Sequence, residues 1–120
     1  MYYAVINENN QQSYMGNELS NHFIYFADLE NICQLLCCGN KIVEVVKYNT
    51  DNITKICDGV YKSDNVEFGK EYNMNNIIDF QDLMNLGFIP HYNIINWCYD
   101  YNYIDLLMHI IKNKNIITKN

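Results

Sequence analysis

The chain predicts an α+β fold: a small, mainly antiparallel sheet with one helix, followed by a helical segment packed on it. Three observations carry this. Short β-branched and aromatic runs crowd residues 1–74, and apolar residues at helical spacing fill 75–120. Between two of the short runs sits Asp58-Gly59, a dipeptide suited to a hairpin turn. No linker-like composition separates the halves, so 1–120 reads as a single domain with a strand-rich half, 1–74, and a helical half, 75–120.

The elements follow in order. Residues 2–7 (YYAVIN) are apolar and rich in β-formers, and the polar stretch 8–21, which contains Gly16, reads as a surface loop. The run 22–27 is short enough for a strand buried on both faces. Asp28 then stands as a plausible N-cap, Leu29, Ile32, Cys33 and Leu36 recur at helical spacing, and Gly39 sits where helices stop, which predicts a helix over 28–38. The β-branched run 41–48 (KIVEVVKY) predicts a strand. Residues 53–57 and 60–62 flank Asp58-Gly59 as a type I′ hairpin, and Val66 with Phe68 adds a short strand. Ile77, Ile78, Phe80, Leu83, Met84 and Leu86 predict a helix closed by Gly87, with Pro90 enforcing a break. Two further helices are expected over 91–100 and 103–112, joined at Tyr101-Asn102. Ile104, Leu107, Met108 and Ile111 form one face of the last, whose C-terminal end carries Lys112 and Lys114, as suits the helix dipole.

Composition narrows the function classes. Nearly half of the 120 residues are apolar and 14% aromatic, so a core can form and the signature of disorder is absent. The eight basic residues, all lysine, face fourteen acidic ones for a net charge of -6, which argues against nucleic acid as a partner. No apolar run approaches the roughly 18 residues of a membrane span, and the start resembles no signal peptide, so a soluble cytoplasmic protein is expected. Five cysteines, an odd number, fit reduced thiols. The excess of Asn reads as compositional bias, and 73–76 as a loop.

The residues that could carry chemistry have bland readings beside them. Helical spacing puts the thiols of Cys33 and Cys37 on one face, but no Cys-x-x-Cys pair completes a zinc site, so buried structural thiols are expected and no metal or cofactor. Cys98 with His91 or His109 lacks any mark of an oxyanion hole. His91 is expected to help start a helix, and His109 to lie off the Ile104, Leu107, Ile111 stripe, at the surface or its margin. No catalytic residue is assigned. Asp79 and Asp82 read as a solvated helix face. Tyr99, Tyr101 and Tyr103 cluster at a helix turn, either as interface anchors or as packing against the strand-rich half, with packing favoured.

The stretch Ile94-Ile95-Asn96-Trp97-Cys98-Tyr99-Asp100-Tyr101-Asn102-Tyr103-Ile104-Asp105-Leu106-Leu107 resembles a degenerate ankyrin repeat, with Asn102 in the place of the usual Gly. Met84-Asn85-Leu86-Gly87 with Phe88-Ile89 looks like the end of a preceding one. Ile24-Tyr25-Phe26, the run from Gly39 through Val45, and Tyr61 to Val66 leading to Gly69 resemble the domain that precedes the repeats in giant-virus (mimivirus-like) ankyrin proteins. The Thr-Pro-Leu-His signature and a long array are absent. The resemblance implies a non-enzymatic protein-interaction module engaging a host or viral protein. A solenoid usually needs roughly three repeats, so about one and a half must lean on the strand-rich half. The alternatives are a structural protein self-associating as a homodimer through the C-terminal helices, with Ile104, Leu107 and Ile111 at the contact, and a small enzyme with a site in the strand-rich half.

Overall fold

The computed structural model describes residues 1–14, 17–18 and 23–117. The sheet is built from β1 (Tyr2–Ile6), β4 (Ile24–Asp28), β5 (Lys41–Lys47), β6 (Ile53–Cys57), β7 (Val60–Ser63) and β8 (Glu67–Tyr72), in the order β6-β7-β4-β1-β5-β8, every pair antiparallel. A two-stranded ribbon of β2 (Ser13–Tyr14) and β3 (Asn17–Glu18) lies within the expected loop 8–21. His22 and Gly16 lie outside the described residues, and the strand expected over 22–27 covers Ile24–Asp28. Helices α1 (Ile77–Leu86), α2 (Asn93–Asp100) and α3 (Ile104–Lys112) close the chain with a short 3-10 turn, Lys114–Ile116.

Central position explains the sequence of β1. Successive side chains of a strand point to opposite faces. Tyr3 and Val5 enter the main core beneath the helices, while Tyr2, Ala4 and Ile6 enter a second cluster with Phe26, Val43 and Val45. A strand covered on both faces reads as a continuous apolar run, which YYAVI is. On the second face Tyr2, Phe26, Tyr48 and Tyr61 pack as tilted or edge-on rings 5.1–6.2 Å apart.

The β1–β4 ladder pairs Tyr2 with Asp28 and Tyr3 with Ala27. Beyond that point Gln12, 2% exposed, stands between the strands. Its Nε2 donates to the carbonyls of Val5 (3.1 Å) and Tyr25 (2.7 Å), and its Oε1 accepts from the Tyr25 amide (2.8 Å). The side-chain amide thus takes the place of a strand's peptide group.

The segment expected as an α-helix over 28–38 is a 3-10 helix, Leu29–Cys38, and Asp28 makes no side-chain cap bond. The burial pattern gives the reason. Asn31, Gln34 and Cys37 form the solvent edge at a spacing of three, while Ile32, Cys33, Leu35, Leu36 and Cys38 are buried. Three residues per turn keeps that edge in line, whereas 3.6 would rotate it into the core. The expectation that Cys33 and Cys37 share a face is therefore corrected: Cys33 is buried and Cys37 exposed.

The hairpin at Asp58-Gly59 forms, but not as type I′. Gly59 alone takes a positive φ (76°), and a register shift between Lys55 and Cys57 absorbs the difference. The strand expected around Val66 and Phe68 is β8, starting at Glu67. Gly39 has an extended backbone and is required by close approach, since a Cβ there would overlap the carbonyl of Ile6.

The Asn-rich stretch at 73–76 is a capping device. Asn76 caps α1 by accepting from Ile78 N (2.9 Å), and Asp79 of the first turn accepts from Asn73 N (2.8 Å). Asn75 reaches across to α3 and accepts from the amides of Asp105 (3.0 Å) and Leu106 (3.4 Å). That helix has no side-chain cap of its own.

Candidate interaction surface

The helical half is tied to the strand-rich half by carbonyls within and just past the 3-10 helix. Trp97 Nε1 donates to the Gly39 carbonyl (2.8 Å), the Tyr103 hydroxyl to the Asn40 carbonyl, and Asn93 Nδ2 to the Cys33 carbonyl (2.6 Å). These bonds turn the Trp97, Cys98 and Ile94 side of α2 inward. Helix α2 starts at Asn93, two residues later than the expected 91, and His91 contributes the carbonyl that accepts from Ile94 N (3.0 Å).

Helices α1 and α2 end alike. Phe88 N donates to Leu83 O and Gly87 N to Met84 O, with Gly87 at φ 118°. Tyr103 N donates to Cys98 O and Asn102 N to Tyr99 O, with Asn102 at φ 59°. Both are Schellman endings, which need a left-handed residue just past the helix; Gly supplies it at no steric cost, and Asn tolerates it.

This turn sorts the tyrosines named from the sequence. Tyr103 is half-buried, its ring 5.4 Å from Trp97. Tyr101 leans edge-on against Trp97 at 6.0 Å. Burial raises the pKa of both hydroxyls. Tyr99 is 77% exposed. Packing takes Tyr103, Tyr101 keeps 42% of its surface exposed while leaning on Trp97, and Tyr99 stands free of the core.

Helix α3 buries Leu106 and Ile110, a face the sequence reading did not name. Ile104, Met108 and Ile111 stand 46–48% exposed, and Leu107 is half-buried at their margin. His109 packs its ring edge-on against Phe80 of α1 at 5.9 Å and lies beside Gln81. On the α2 side Tyr92, just ahead of the helix, and Tyr99 are exposed and Ile95 is half-buried, at spacings that share one helix face. The two faces meet in a groove of about 300 Å³ lined by Tyr92, Ile95, Ile110, Ile111, Lys114 and Ile117. Tyr92 and Ile95 were not picked out from the sequence. Their spacing with Tyr99 was the available signal, but periodicity does not say which side of a helix is covered.

No protein-family model, curated protein or solved structure matches the chain. Burial pushes the thiols of Cys33 up to about 11 and of Cys98 up to about 12, and burial together with the adjacent Cys37 does the same for Cys38. Such thiols stay protonated at neutral pH, the opposite of an activated nucleophile. Among the described residues no group of three or more His, Cys, Asp or Glu side chains is placed to hold a metal ion, and no helix is long and apolar enough to cross a membrane. What the helical half does present is an apolar face across two adjacent helices, a feature that marks contact sites on folded proteins.

Proposed function

We propose that the chain is a non-enzymatic protein-interaction module whose docking surface is the outer face of α2 and α3. The observation that carries this is the exposure of Ile104, Met108 and Ile111 on one stripe beside Tyr92 and Tyr99. Helix pairs of the ankyrin kind cover such faces with a neighbouring repeat, and among the described residues no helix lies over this one. The resemblance of this half to giant-virus ankyrin proteins supports the same reading and suggests a host or viral protein as partner; the alternative is a second copy of the chain.

Met108→Lys places a charge at the centre of the stripe without touching the buried Leu106 and Ile110. Immobilised protein is expected to retain a protein saturably, an extract protein or its own tagged copy, and the variant to lose it while keeping its circular dichroism. Equal retention by both, or no saturable binding by either, overturns the reading.

A further inference from the structure

The apolar stripe of α3 has charged neighbours whose placement is self-complementary. Asp105 and Lys112 are both exposed and lie about two turns apart, so they share one flank of the stripe, roughly 10 Å from each other along the axis. The midpoint between them falls at Met108–His109, close to the centre of the Ile104, Met108, Ile111 stripe. Neither takes part in a salt bridge among the described residues, where the ion pairs are Lys41–Glu71 and Lys55–Asp58.

A two-fold axis perpendicular to α3 at that midpoint maps the flank of one copy onto the same flank of the other and reverses the helix direction. Each Asp105 then comes opposite the other copy's Lys112, twice over, while the two stripes face each other. A parallel arrangement, with the two-fold axis along the helices, would put the two flanks on opposite sides of the contact and leave Asp105 and Lys112 without an opposite charge to meet. We propose that the occupant of this face is a second copy of the chain, docked through antiparallel α3 helices in an isologous dimer. The proposal rests on the reading of this face as a docking surface and names its partner. The apolar stripe supplies the attraction, and the charge pair fixes the direction.

The test is sedimentation and light scattering of the full chain across concentration, with four proteins. The parent is expected to move from monomer to dimer mass as concentration rises, and Met108→Lys to stay monomeric. Asp105→Lys and Lys112→Asp should each dimerise on the order of tenfold more weakly, because each sets like charges together at both contacts. Mixing these two variants in equal amounts should restore parental affinity, since lysine at 105 of one chain meets aspartate at 112 of the other and the native residues pair at the second contact. A parent that stays monomeric at every concentration overturns the dimer and leaves the docking reading to its own retention experiment. A dimer indifferent to Met108→Lys, or a mixture no tighter than its components, overturns the antiparallel α3 contact. Unchanged circular dichroism of the three variants separates these outcomes from misfolding.

Discussion

Gln12 is the side chain on which the middle of the sheet depends most. Its amide satisfies the Tyr25 N–H and the carbonyls of Val5 and Tyr25, none of which has a ladder partner where β1 and β4 separate. Gln12→Leu keeps the bulk and removes all three bonds, and unsatisfied buried groups are costly. The expected loss is at least about 2 kcal/mol in urea unfolding. The cysteines make a second prediction. Cys37 and Cys57 are exposed, while Cys33, Cys38 and Cys98 are buried, so a disulfide-exchange reagent should titrate two thiols quickly in the folded protein and the other three only on unfolding. The buried thiols also set an alkaline limit. Their folded pKa values lie above the ordinary 9.0, at about 11 and about 12. Above pH 9 the unfolded chain therefore releases protons that the folded chain keeps, and stability, complete below pH 9, falls as pH rises toward the folded values. The urea midpoint should drop as pH rises from about 9 toward about 11, and drop less in Cys98→Ala. Gln12 was not legible in the sequence, where it reads as one polar residue in a loop, because its role comes from a gap between two strands that are distant in the chain.

At the scale of elements, the strands and the three C-terminal helices were largely legible. Their signals are local: β-branched runs for β5 and β6, Gly87 and Pro90 as punctuation, and apolar spacing in α1. The 3-10 helix was misread because Leu29, Ile32, Cys33 and Leu36 satisfy a spacing of 3.6 nearly as well as one of 3.0, and only Asn31, Gln34 and the exposed thiol of Cys37 distinguish them. The Asn-rich stretch reads as a loop in the sequence, although two of its residues cap two different helices. Asn75→Ala should cost about 1 kcal/mol, comparable with Asn76→Ala at the start of α1, although Asn75 lies outside the helix it caps. Amide exchange separates the two: Asn75→Ala should speed exchange in the first turn of α3, and Asn76→Ala in the first turn of α1. Exchange confined to α1 in both variants would show that Asn75 does not cap α3.

At the scale of the whole molecule, the two halves share one core. Tyr3, Val5, Ile42 and Tyr72 from the sheet meet Phe80, Leu83, Ile94, Trp97, Leu106 and Ile110 from the helices, with the 3-10 helix between them. Trp97, the one tryptophan, donates to Gly39 across that junction. Unfolding followed by its fluorescence and by far-ultraviolet circular dichroism should therefore give coincident transitions; separate midpoints would show halves that fold independently. By itself the sequence determined the α+β class, the order of strands before helices, and an apolar stripe on the last helix, because these follow from local periodicity and turn chemistry. Which stripe is covered was decided by tertiary structure. Helix α3 is apolar on two sides, through Leu106 and Ile110 and through Ile104, Met108 and Ile111, and periodicity treats them alike. The first pair is buried because Asn75, Trp97 and Tyr103 anchor the helices to distant parts of the chain in one orientation. The second stripe is what that orientation leaves in water.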